Sequence, residues 1–181
     1  MSLIASLITH LEDAQLWQKE IVLKRNDFLL MEGQTDTHLY FVKNGTLRVF
    51  MTDDGIEHTI RFGYQNDLIT ALDSFVNDDP SHFSIQALKA TELKSISKSV
   101  FIEFIQSTTE RTHLWVEVLG ALVHQQIERE FDLLTASPIK RYERVKVRSP
   151  QLFQEVPLKY IASYLRMAPE TLSRIRAGLK K

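Results

Sequence analysis

The chain has 181 residues, no cysteine and a formal net charge of −1, with 44% hydrophobic and 25% charged residues. That length holds a sensor-sized domain plus a small appendage, each able to bury a core, and leaves no room for a third independent module. Without cysteine, disulfides, thiolate metal sites and cysteine nucleophiles are excluded, as suits a reducing cytosol.

Residues 1–20 read as an amphipathic helix, because Leu3, Ile4, Leu7, Ile8 and Leu11 recur at spacings of three and four. Glu12 and Asp13 lie in this stretch and no basic segment opens it, so a core-packing lid is expected rather than a leader. No run approaches membrane-spanning length, and a cytoplasmic protein with no membrane partner is the expectation.

From Glu20 to about Ile96 the pattern changes to short segments rich in Val, Ile, Phe, Tyr and Thr. Strands are predicted at 20–23, 28–31, 39–43, 46–52, 58–62, 84–88 and 93–97, punctuated by Gly33, Asn44-Gly45, Asp53-Asp54-Gly55 and Gly63. Asn44-Gly45 and Asp54-Gly55 are predicted hairpin turns, since tight primed turns need positive φ. About eight short strands so spaced imply a closed β-roll rather than a doubly wound sheet, giving an α+β fold class.

After Ser97 the period becomes helical. Ser99 is expected to cap a short helix ending near Gln106, and residues 110–135 form one long helix. On it Trp115, Val118, Leu122 and Gln125 recur at spacings of three and four, flanked by Leu114, Leu119, Ile127 and Phe131. A helix apolar over more than one face should touch its own roll and a matching helix of a second copy. Trp115, Val118, Leu119, Leu122 and Gln125 are therefore the expected dimer interface, with a purely intramolecular core helix as the alternative. Ser137-Pro138 ends the helix, because proline removes a donor and restrains its predecessor. The expected domains are 1–109 for the lid and sensor roll, 110–137 for the dimerisation helix and 138–181 for a third, helical segment.

That last segment carries eleven lysines and arginines against Glu143, Glu155 and Glu170, a charge of +8; the remaining residues carry 11 basic against 20 acidic groups, −9. An acidic body with a basic tail suits a polyanion. Residues 139–146 are a predicted helix, Arg148-Ser149-Pro150 a turn, and 158–179 two further helices. Ile161, Leu165, Met167, Leu172 and Ile175 are apolar where two short crossing helices face inward, and Ala162 is small where they approach: the logic of a helix-turn-helix. Pro169 suits a first helical position and Glu170 the positive end of the dipole. The outward face offers Glu170, Thr171, Ser173, Arg174 and Arg176. Arginine can bind guanine bidentately and glutamate can accept from cytosine, whereas Lys159, Tyr160, Lys180 and Lys181 suit phosphate.

The chain resembles the cyclic-AMP receptor protein/FNR (Crp/Fnr) family of bacterial regulators over nearly its whole length. Leu39-Tyr40-Phe41-Val42-Lys43-Asn44-Gly45-Thr46-Leu47-Arg48-Val49 is similar to the early hairpin of that family's cyclic-nucleotide-binding roll, and Glu170-Thr171-Leu172-Ser173-Arg174 to its recognition helix. The resemblance implies a homodimer whose central helices pair and whose recognition helices enter successive major grooves of double-stranded DNA, with Glu170 and Arg174 on bases. RNA polymerase and an unidentified small-molecule effector are admitted as further partners. No enzyme activity and no cofactor are expected.

Three departures qualify the transfer. Where cyclic-AMP binders carry Gly-Glu and Arg-Ser or Arg-Thr pairs, this chain has Thr70-Ala71 and Ser81-His82. Ribose would lose its acceptor and the cyclic phosphate its charged partner, so a degenerate pocket of Arg61, Thr70, Ala71, Ser81 and His82 is not expected to take cyclic AMP. Pro169 stands where the family often has arginine, Ala168 is a poor cap, and Arg166 replaces the expected turn glycine. The chain ends at Lys181, so the strand hairpin or wing after the recognition helix is expected to be absent. Against these readings, a metal-dependent enzyme built on the roll needs clustered histidines, and the six present show no tight ligand spacing. An interaction module that senses without binding DNA is the other alternative; the +8 segment disfavours it.

Overall fold

The computed structural model describes residues 2–178. Helix α1 (Leu3–Asp13) begins where the Ser2 hydroxyl accepts from the Ala5 amide at 3.1 Å, and buries Leu7, Ile8 and Leu11. The roll comprises β1 (Lys19–Leu23), β2 (Phe28–Leu30), β3 (His38–Asn44), β4 (Thr46–Asp53), β5 (Ile56–Tyr64), β6 (Leu68–Ile69), β7 (Ser84–Ala87) and β8 (Thr91–Ser97). They form two antiparallel four-stranded sheets, β1-β8-β3-β6 and β2-β7-β4-β5. Leu23, Leu30, Val42, Leu47, Ile85 and Leu93 fill the space between, as alternation along half-buried strands requires.

Of the two turns expected to close hairpins, one does. Asp54 and Gly55, at φ 48° and 74°, connect β4 to β5, which pair directly. Asn44-Gly45 instead joins strands of different sheets, so it is a corner. Gly45 sits at φ 111°, and a Cβ there would collide with Thr91; the glycine serves a close approach as well as a turn. The sequence reading also missed β6 and the short helix α2 (Leu72–Asn77), both too brief to show a period.

Helix α3 (Lys98–Gln106) starts two residues earlier than expected: Ser97 is its cap residue, and the Ser99 hydroxyl meets that of Ser97 at 3.3 Å. The spine α4 (Thr109–Leu134) is opened by the Thr108 hydroxyl, which accepts from the Arg111 amide at 3.2 Å. Next come α5 (Pro138–Arg148), α6 (Pro150–Glu155), α7 (Leu158–Tyr164) and α8 (Pro169–Gly178). The expected turn at 148–150 is only the one-residue break at Ser149, after which Pro150 opens α6 from a first position that needs no N–H.

Tyr142, Val145, Leu152, Ile161, Leu165, Leu172 and Ile175 share one core with Phe62 of β5 and with Leu88 of the loop after β7. The head formed by α5–α8 is thereby seated on its own roll. No helix among the described residues is long and apolar enough to cross a membrane.

Candidate functional site

The terminal helix pair is built as its apolar pattern demands. Ile161, Ala162, Leu165 and Leu172 are fully buried, Ile175 nearly so and Met167 half-buried. The chain turns between α7 and α8 through Arg166, held at φ 51°. This left-handed residue is tolerated because the Met167 amide donates to Ala162 O at 3.1 Å and the Arg166 amide to Ser163 O at 3.1 Å, a Schellman closure. Arg141 then donates to the Leu165 and Arg166 carbonyls at 2.6 and 3.1 Å. Pro169 occupies the first position of α8. Its face away from the core presents Pro169, Glu170, Ser173 and Arg174 exposed, with Thr171 and Arg176 half-buried beside them. Lys159 is exposed, but Tyr160 is half-buried and lays its ring 4.1 Å from the Arg48 guanidinium of the roll, so it stands outside the outward row. Lys180 lies outside the described residues.

A second set of polar residues seats the head. The Ser163 hydroxyl donates to Glu57 O at 2.9 Å and accepts from the Thr59 amide at 3.0 Å. Arg129, 6% exposed, donates to Thr59 O of β5 and Tyr164 O of α7, both at 3.0 Å, with its guanidinium 3.8 Å from the Tyr164 ring. Asp132, 1% exposed, takes Arg144 at 3.0 Å, and Arg148 lies against its other oxygen as an ion contact rather than an aligned hydrogen bond. Burial opposes the ionisation of Glu155, yet hydrogen bonds from Gln151, Lys89 and Thr46 outweigh it and hold the carboxyl below its usual range. Sequence reasoning passed over Arg129, Asp132 and Glu155, because a charge on a helix reads as solvated until partners from other elements close around it. Arg141, Arg144 and Arg148 are thus committed to internal partners, so the head offers a polyanion less than its sequence charge.

The four cassette positions come together, but not as an empty anion site. Ala71 is fully buried at the start of α2, and the Thr70 hydroxyl donates to His38 O at 2.9 Å. Asp73, which sequence reasoning did not single out, accepts from the Ser81 hydroxyl at 2.9 Å and the His82 amide at 2.8 Å. The exposed His82 ring lies 3.4 Å from the same carboxylate. Burial works against that carboxylate, but these donors and the Ser74 amide prevail and its pKa is lowered. Asp73 is in effect a built-in anion that uses the cassette's donors, and an incoming phosphate would meet like charge. Calorimetric titration with cyclic AMP is expected to give no saturable heat; micromolar affinity would overturn this reading of the cassette. Arg61, grouped with these four by sequence, is on β5 and lines a different cleft, between roll, spine and head.

The long helix turns most of the expected dimer face inward. Val118 is 1% exposed and belongs, with Leu114, Trp115 and Leu122, to the core under α1 and α3. Trp115 meets Phe101 edge-on at 5.0 Å between ring centroids. Of the five residues expected at a dimer interface, only Leu119 and Gln125 are exposed. The apolar stripe that points outward is Val116, Leu119, Val123, Ile127, Phe131 and Leu134, spaced by threes and fours and exposed along the whole spine. Both stripes are apolar at helical spacing, and the roll decides which one turns inward.

Comparison with known proteins agrees with this architecture. Residues 20–108 match the family model of the cyclic nucleotide-binding domain. A lysophospholipase from Cryptococcus neoformans is 28% identical over 132 residues, 73% of this chain, and the chain spans only 8% of that relative's length. Among solved structures, FixK2 from Bradyrhizobium japonicum superposes with a TM-score of 0.72 at 19% identity, covering 90% of this chain and 84% of its own. The c-di-GMP responsive global regulator CLP of Xanthomonas campestris gives 0.69 at 13% identity, covering 97% and 91%. The likeness to these regulators is one of fold, and it extends from the roll through the spine to the terminal helices.

Proposed function

We propose, from the premise that this chain carries a cyclic nucleotide-binding domain in the fold of the Crp/Fnr regulators, that it is a homodimeric, sequence-specific DNA-binding transcription regulator that does not answer to cyclic AMP. The observation that carries the reading is the outward row of α8. Glu170, Ser173 and Arg174 stand exposed on a helix whose opposite side, Leu172 and Ile175, is locked into the head. An α-helix so mounted fits the major groove, and a helix-turn-helix uses the first turns of its second helix for base edges. The exposed Lys159 lies on α7, the helix that would cross the phosphate backbone. In a two-fold dimer paired along the apolar stripe of α4, two such heads would address half-sites about 34 Å apart.

Arg174 is the residue placed to read a base, because its guanidinium is exposed and has no ion-pair or hydrogen-bond partner among the described residues. Arg174→Ala is expected to lose about 1–3 kcal/mol of discrimination at one base pair in each half-site. Selection of bound fragments from random genomic DNA, repeated with the variant, measures this. A wild-type chain that selects no motif would end the proposal, and an unchanged motif in the variant would end the role given to Arg174.

A further inference from the structure

A cleft of about 270 Å³ lies where the roll, the spine and the head meet. Arg61 and Tyr64 of β5, Gln125 of α4, Ser149 and Leu152 around the start of α6, and Tyr164 of α7 line it. None of Thr70, Ala71, Ser81 or His82 does, so it is distinct from the cassette that Asp73 fills. The Arg61 guanidinium has neither ion pair nor side-chain hydrogen bond among the described residues, and the hydroxyls of Tyr64, Tyr164 and Ser149 and the Gln125 amide also lack side-chain partners there. Five donor-bearing groups therefore converge on one space.

The lining sets Arg61 and Arg148 against one carboxylate, Asp67. Burial lowers the pKa of Arg61, and Asp67 partly offsets this through space. Asp67 itself is raised by burial and already accepts from the Tyr64 amide at 2.9 Å. Burial also raises the Tyr64 hydroxyl, which keeps it a donor at neutral pH. Arg148 adds a second cation to the lining, though one paired with Asp132. The Arg61 guanidinium is half-buried and free of hydrogen-bond partners among the described residues, and a planar oxyanion matches its fork of donors.

We propose that this cleft is a binding site for a small organic oxyanion, with its carboxylate or phosphate on Arg61 and the tyrosine hydroxyls and its apolar part against Leu152. The volume is slightly below the roughly 300–1,000 Å³ common for ligand sites, which favours a compact acid over a nucleotide. Because its walls come from the roll, the spine and the head, an occupant would tie the position of Tyr164, and so of α7, to the roll. That coupling rests on the regulator reading; the binding itself does not.

The test is calorimetry on the full chain without DNA, so its outcome is independent of whether the protein binds DNA. Sodium benzoate and inorganic phosphate serve as the carboxylate and phosphate probes, with benzamide as the uncharged counterpart and ionic strength matched with chloride. At least one anion is expected to saturate at millimolar concentrations while benzamide does not, and whichever saturates identifies the anion class. Arg61→Gln should weaken that binding by about tenfold or more. His82→Ala, at the exposed edge of the cassette, should leave it unchanged. Gln125→Ala, on an exposed helix position where folding is not at risk, should also weaken it measurably. Saturation by neither anion, equal binding by the Arg61 and Gln125 variants, or loss of binding on changing His82 would each overturn the assignment.

Discussion

Replacing Arg129 with methionine is expected to lower stability by about 3 kcal/mol. The guanidinium is the donor for Thr59 O and Tyr164 O, at 3.0 Å each, and it is 6% exposed. Methionine keeps most of the volume and the contact with the Tyr164 ring, but leaves two carbonyls facing a surface that cannot donate. Each orphaned buried acceptor costs on the order of 1–3 kcal/mol, and part of the sum is recovered because the cation no longer has to be desolvated. For a chain of this size the midpoint should fall by roughly 6–12 °C. Arg129→Lys, able to reach one carbonyl, should fall between. Urea unfolding of the three proteins decides it: a loss below about 1 kcal/mol would mean that water reaches both carbonyls and that the clasp is incidental.

Val123→Glu is expected to convert the proposed dimer to monomer and to weaken binding to a palindromic fragment by about a hundredfold or more. Val123 is 59% exposed at the middle of the outward stripe, so within one protomer glutamate meets only water and the fold should be untouched. Across a two-fold axis the same position meets its own copy or a near neighbour, where an unpaired carboxylate is opposed by burial and by like charge. The second head would then bind as an independent molecule, and the gain from linkage would vanish while affinity for a single half-site stayed the same. Sedimentation and a binding titration on full and half sites measure the two parts. A dimer that persists at micromolar concentration would place the interface elsewhere.

Much of the scaffold was legible because its cues are local. Alternation located most of the strands, Ser137-Pro138 marked the end of the spine, and the apolar positions Ile161, Leu165, Leu172 and Ile175 described the inner face of the terminal helices. What failed depended on distant partners. Asn44-Gly45 announces positive φ but not which strands pair across it, and its neighbour Thr91 is far along the chain. Trp115, Val118 and Leu122 form as good a helical stripe as Val116, Leu119 and Val123; the side that meets Phe101 and Leu11 is chosen only once the roll exists. Arg61 fell with the cassette residues by its place in the roll, whereas β5 carries it to a different opening. Asp73 could have been suspected, since a carboxylate two residues after Ala71 needs donors and Ser81 and His82 supply them.

The chain crosses from roll to head at Pro138, but the oily interior does not divide there. Phe62 and Leu88, contributed by the roll, are walls of the room that houses Tyr142, Leu152 and Ile161. A fragment cut at that proline would strip those two side chains of their cover and leave the helical remainder without part of its packing. Roll and head are in that respect one folded object, and isolated halves would be poor stand-ins for either.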